Sequence, residues 1–244
     1  MLTAVDFAPR VVKVESMVAW IELSDPDVGN MLTRQQMVGL AEVIRRAGMM
    51  SDVAVVAIAP RGDAFCRGRN GKGESPESLP WDARQKQLGA TLDVYDAISA
   101  CPVPVVALVQ GDAIGFGAAL AGGCDVTLST DKARFALPEI KHSIPATLAI
   151  SALVRKMPLK ALSHMIYSAE EISAHEAVSF GLVSKVFPDA RFDVDAKAYV
   201  EALAGRQRLV LETLKRYLGK APHLSPDMAS EYAGTLMALV KPSL

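Results

Sequence analysis

The chain has 244 residues, half of them hydrophobic, and a formal net charge of −1. That is enough to bury a large core in one domain or one domain with an appendage, and it leaves no global basic field of the kind that attracts nucleic acid or an anionic membrane. Cys66, Cys101 and Cys124 are far apart, without a C-x-x-C pair, and the four histidines do not stand at metal-ligand spacings, which argues against a zinc site or a disulfide framework and for reduced thiols in a cytoplasmic protein.

The segment Met1–Glu15 mixes charges with apolar residues and does not read as a signal peptide. No run of about 18 apolar residues suggests a membrane span. Val11–Val14 and Met17–Leu23, rich in Val and Ile, predict two short strands. Asp25-Pro26-Asp27 and Gly29-Asn30 punctuate a loop, in which the aspartates form turns. Thr33 is a candidate N-cap for a helix whose apolar face is Met37, Leu40, Ala41 and Ile44. Val53–Ala59 is an unbroken apolar run, as a strand buried on both faces requires. Residues 61–80 are rich in Gly, Pro, Ser and charge and predict a long loop, the kind that is usually functional or mobile.

Trp81–Ser99 reads as a helix stopped by Cys101-Pro102-Val103-Pro104, and Val105–Val109 as another buried strand. A Gly/Ala-rich stretch follows over Gly111–Gly123, then candidate strands at Val126–Leu128 and Ala133–Leu137. Ala146–Lys156, Leu159–Tyr167 and Ala174–Phe180 predict three helices, and Val183–Val186 a short strand. The pattern is helical from Val194 to Leu218, and a last helix is expected from Pro226 to Val240. Alternating strands and helices indicate an α/β fold with a largely parallel sheet system, with the helical end after Pro188 as a separate layer.

Two glycine-bearing turns follow buried strands: Ala64-Phe65-Cys66-Arg67-Gly68-Arg69-Asn70, and Gly111-Asp112-Ala113-Ile114-Gly115-Phe116-Gly117-Ala118-Ala119. Glycine lets backbone approach a ligand closely, and a turn that opens a helix presents N–H groups with no intrahelical partner. Two such turns face to face make an oxyanion site. Tight helix–strand packing is the competing reading of the same glycines.

These turns and their separation, with Phe135-Ala136-Leu137-Pro138-Glu139-Ile140, Ser173-Ala174-His175-Glu176-Ala177 and Gly181-Leu182-Val183-Ser184-Lys185-Val186, resemble the crotonase (enoyl-CoA hydratase/isomerase) superfamily from about Val11 to Leu218. The resemblance implies a crotonase-like spiral of repeated β-β-α units over residues 1–188, carrying the acyl-CoA site. It also implies a helical region over residues 189–244 that helps build a homotrimer or homohexamer. The substrate would be an acyl-CoA thioester, with coenzyme A part of the substrate and no separate cofactor, metal, nucleic acid or membrane partner.

By the same resemblance, the N–H groups of Arg67 and Phe116 match the two oxyanion donors. Phe65, Cys66, Gly68 and Arg69 from the first turn, Gly115 and Gly117 from the second, and Pro138 beside Glu139 would frame the substrate. Met31 matches a position lining the CoA groove, and Lys215 one that places a basic residue near the nucleotide. Arg61, Arg67, Arg69 and Lys72 surround the first turn, where their side chains could meet CoA phosphates or form a solvated loop.

Hydratases of the family use two glutamates. One aligns with Glu139, but the other falls at Ala119, which has no acid–base capacity. A single carboxylate suffices to take a proton from one carbon and return it to another, so the favoured reaction is Δ3-to-Δ2 double-bond isomerisation with Glu139 as sole base and acid. Hydration or another crotonase reaction such as decarboxylation, aided by His142, stays open, as does a catalytically weak acyl-CoA-binding protein. His175 and Glu176 read as the start of a helix, and Asp112 as a loop-capping residue.

Overall fold

The computed structural model describes residues 10–71 and 80–240. Lys72 and the middle of the long loop after Arg61 lie outside the described residues. Strands β1 (Arg10–Glu15) and β2 (Val18–Leu23) form an antiparallel hairpin. Ser16 and Met17 turn it with φ of 53° and 60°, so Met17 belongs to the turn and not to the strand. Thr33 caps helix α1 (Arg34–Met49) through a capping box with Gln36: its hydroxyl accepts from the Gln36 N–H while the Gln36 side chain accepts from the Thr33 N–H.

Strand β3 (Val55–Pro60), helix α2 (Trp81–Ala100) and strand β4 (Val105–Val109) follow. Next come β5 (Ala113–Ile114), α3 (Phe116–Gly123), β6 (Val126–Thr130) and β7 (Arg134–Ala136). A 3-10 turn, Glu139–His142, leads to α4 (Thr147–Leu153), α5 (Leu159–Ser168), β8 (Ile172–Ser173), α6 (Ala174–Ser179) and β9 (Lys185–Phe187). The helical end is α7 (Phe192–Ala204), α8 (Arg208–Lys220) and α9 (Pro226–Ala238). The continuous helical pattern expected over 194–218 is thus two helices: the Gly205 N–H closes α7 onto the Glu201 carbonyl, and Gln207 begins the next.

The main sheet has the order β1-β2-β3-β4-β6-β9, parallel from β2 onward. A second ladder is built from very short pieces: Leu32 pairs with Arg69, Cys66 with Ala113, β5 with β7, and β7 with β8. The chain therefore repeats one path. A long strand leaves the main sheet, a short segment crosses the second ladder, and a helix returns. This happens after β2, β3 and β4 in turn, which is the β-β-α spiral.

The pleat explains why the central strands are apolar throughout. Val56, Ile58, Val105, Ala107 and Val109 face the core made with α1, α2 and α3. Their neighbours Val55, Ala57, Val106 and Leu108 face a second core completed by Phe192, Ala196, Val200 and Ala204 of α7. Helices cover both faces, so no alternation with polar residues is possible.

Candidate active site

The site grows from the second ladder. Asn30, fully buried with φ of 55°, ties the loop before α1 to the first glycine turn. Its Nδ2 donates to the carbonyls of Arg61 (2.9 Å) and Ala64 (2.8 Å), and its Oδ1 accepts from the Asp25 N–H at 2.9 Å. The N–H of Arg67 donates to the Gly29 carbonyl at 2.9 Å. That N–H is spent within the protein, which corrects its expected role as an oxyanion donor.

The register shows which N–H of this turn faces the other way. Leu32 donates to the Gly68 carbonyl (3.1 Å) and accepts from the Asn70 N–H (2.8 Å). Arg69, between them, therefore directs its own N–H to the opposite edge, away from Leu32. On the other edge of the turn, Cys66 donates to the Asp112 carbonyl (3.1 Å) and accepts from Ile114 (2.9 Å), docking the second turn. A Cβ on Gly68, which has φ of 118°, would lie 3.5 Å from the Ile114 carbonyl oxygen.

In the second turn the Gly115 N–H donates to the Ala136 carbonyl at 2.8 Å, and its φ of 56° swings the chain into α3. Phe116 is the first residue of that helix, where an N–H has no intrahelical acceptor and the helix dipole favours negative charge. Gly117 answers to packing: a Cβ there would stand 1.9 Å from the Cys66 carbonyl oxygen.

Glu139 opens the 3-10 turn after β7 and lies over this point. A Cβ on Gly115 would be 3.2 Å from its Oε1. Its Oε2 is buried and has no hydrogen-bond partner among the described residues. Burial raises its pKa above the ordinary glutamate value, while its own backbone N–H and His142 pull it partly back. A raised pKa in a cleft suits a group that both takes and returns a proton near neutral pH.

A cavity of about 450 Å³ opens here, lined by Arg67, Gly68, Arg69, Gly115, Phe116, Pro138, Glu139 and His142 among the residues expected from sequence. Thr91 and Tyr95 of α2 and the apolar segment Ile144–Ala146 also line it. Sequence reasoning missed Tyr95, whose spacing on α2 suits an ordinary core aromatic. Met31, Phe65, Cys66, Gly117 and Lys215 are not among the lining residues. Phe65 is core, and the Cys66 thiol, fully buried, is pushed up to about 12. Both carry the turn from behind.

Lys215 has another task than the one expected. Its ammonium donates to the Ile98 and Val103 carbonyls (2.9 and 3.0 Å) and pairs with Asp125 at 2.7 Å. It is an internal clasp between α8 and the start of β4, and its donors are committed there. Among the arginines expected at CoA phosphates, Arg61 pairs with Glu22 and Arg67 with Asp112. The Asp112 side chain thus meets a guanidinium in place of capping its loop. Glu176 completes a capping box with Ser173, the structural part expected of it.

The sequence profile of one family, described as Enoyl-CoA hydratase/isomerase, matches residues 13–235. The human mitochondrial enoyl-CoA hydratase domain-containing protein 3 is 31% identical over 90% of this chain and 72% of its own length. The (E)-benzylidenesuccinyl-CoA hydratase of Thauera aromatica is 30% identical over 92% of this chain and 86% of its own. Among solved structures, an enoyl-CoA hydratase from Mycobacterium smegmatis superposes with a TM-score of 0.86 at 29% identity, over 92% of this chain and 87% of that one.

Proposed function

The chain belongs to the enoyl-CoA hydratase/isomerase family, which acts on CoA thioesters, and from that premise we propose that it shifts a Δ3 double bond of an acyl-CoA to Δ2 with Glu139 as the only proton carrier. One observation carries this reading: Glu139 is the single carboxylate among the described residues lining the cavity, and it lies against the turn that presents the Phe116 N–H. Ala119, where a second acid would stand, is a fully buried methyl inside α3.

The steps follow from the residues. Glu139 takes a proton from the α-carbon of a β,γ-unsaturated thioester, and negative charge moves onto the thioester oxygen. The N–H of Phe116 and, by its direction, the N–H of Arg69 receive that oxygen. Each such donor contributes about 3 kcal/mol of transition-state stabilisation. The protonated Glu139 then returns the proton to the γ-carbon, and the double bond ends in conjugation with the thioester.

The test is the appearance of conjugated-enoyl absorbance from a Δ3-enoyl-CoA, together with solvent deuterium exchange at the α-carbon. Wild type performs both. A Glu139→Gln variant that retained both rates would overturn the assignment. Hydration is the second reading, supported by the hydratase names of the relatives. Incorporation of solvent oxygen into a Δ2-enoyl-CoA would favour it over isomerisation.

A further inference from the structure

Tyr95 of α2 lines the acyl cavity and has no part in double-bond migration. Tyr95 projects from α2 and is 9% exposed, yet its hydroxyl has no hydrogen-bond partner among the described residues. Its ring stacks on the Phe116 ring at 5.9 Å between centroids and 25° between planes, and both residues line the cavity. Thr91, one turn earlier on the same face, turns its hydroxyl to the Met37 sulfur at 3.6 Å. Of these two cavity-lining residues of α2, Tyr95 is the one whose hydroxyl is left unpartnered among the described residues.

A buried hydroxyl left without a partner is destabilising, because it has given up its hydrogen bond to water. A plain alkenyl chain would seal Tyr95 in that condition. An acyl group bearing an oxygen opposite the phenol would relieve it, and sites of that construction reject analogues lacking the oxygen. We infer that Tyr95 is a specificity-determining residue and that the acyl group carries an uncharged hydroxyl or carbonyl oxygen which the Tyr95 hydroxyl receives. A carboxylate fits less well, because it would share the cavity with Glu139. Burial, and next the nearness of the Glu139 carboxylate, hold the phenol well above its ordinary pKa, so it is present as a donor across the working range.

The inference rests on reading this cavity as the acyl site, and its test involves no turnover. Calorimetric titration compares hexanoyl-CoA with its γ- and δ-hydroxy derivatives on wild type and on Tyr95→Phe, which keeps the ring stacked on Phe116. One hydroxy derivative is expected to bind wild type roughly tenfold more tightly than hexanoyl-CoA, and that ratio should fall to about one in Tyr95→Phe. A wild-type ratio of one or less, as when water alone satisfies the phenol, overturns the inference and leaves the isomerase reading intact. A tenfold ratio that survives in Tyr95→Phe overturns it as well. Failure of every thioester to bind wild type removes the acyl-site reading itself, and this inference with it.

Discussion

Glu139 is a carboxylate held in an environment that favours its neutral form, and two consequences follow. As the base it must be ionised, so kcat/KM for a Δ3-enoyl-CoA should rise with pH along a limb displaced above the ordinary glutamate value of 4.5. Glu139→Gln should lower kcat at least about a hundredfold and abolish that limb, read from initial rates across pH. Stability runs in the opposite sense. The folded pKa exceeds the unfolded one, so the native state binds more protons between the two values, and stability falls as pH rises through that window. Glu139→Gln should therefore have the higher Tm at neutral pH and lose the advantage below the window, as differential scanning calorimetry would show. Glu139 was singled out in sequence by the resemblance of Leu137-Pro138-Glu139-Ile140 to the family, and the structure places it at the cavity. The first of the two proposed oxyanion donors was not. Arg67 and Arg69 flank the same glycine, and only the backbone pairing shows that the Arg67 N–H is bonded to Gly29 while the Arg69 N–H turns away from Leu32. Asn30 left a faint trace, a Gly-Asn pair in a turn, but its three hydrogen bonds to distant loops are a tertiary fact. Asn30→Ala should cost about 1–3 kcal/mol for each buried backbone group it strands, measured by urea unfolding.

The helices and long strands follow from periodicity that residues within one segment already contain. Thr33 with Gln36, and the face Met37-Leu40-Ala41-Ile44, specify α1 locally, and the structure buries those four positions. The second ladder is different. Strands β5 and β8 are two residues long, too short to show alternation, and they exist because neighbouring turns of the spiral supply their partners. The close approach of α3 to the first turn is the element-scale feature on which the site depends. Gly117 permits it, since a Cβ would stand 1.9 Å from the Cys66 carbonyl oxygen and 3.0 Å from the Cys66 Cβ. Neither neighbour can yield: the carbonyl is backbone bonded to Ile114, and Cys66 is fully buried. Gly117→Ala should thus destabilise the fold by about 3 kcal/mol and, in whatever fraction folds, push the Phe116 and Arg69 amides apart. Circular dichroism melting reads the first effect. A fall in kcat exceeding any change in KM reads the second, because the oxyanion forms only after binding.

At the scale of the molecule, α7 is legible as a covering layer once both faces of the sheet are seen to be apolar, whereas the role of α8 depends on two cations whose targets are far away in sequence. Arg208 reaches the carbonyls of Gly48, Met50 and Val53 at the end of α1, and Lys215 reaches those of Ile98 and Val103 with Asp125 as counter-ion. A lysine in a helical stretch looks solvated in sequence, and here its side chain is only 10% exposed. Lys215→Met leaves Asp125 partly buried without its cation and two carbonyls without a donor, so a loss of about 3–5 kcal/mol is expected. The same variant separates a clasp from a nucleotide contact. If Lys215 serves the fold, the folded variant binds CoA thioesters with wild-type affinity by calorimetry, and if it served the nucleotide, affinity would fall while the melting temperature held. The clasp leaves the rest of α8, α9 and the C-cap of α9 with apolar residues outward: Leu214, Leu218, Met228, Met237 and Leu239 are each more than half exposed. So many large apolar side chains on one helical end are costly to leave in water, and copies of this chain are the occupants expected to cover them. Light scattering should then give a mass at a multiple of 26.0 kDa, and Leu214→Glu with Leu218→Glu should reduce it to the monomer. A wild-type monomer at micromolar concentration would show that these side chains serve some other contact.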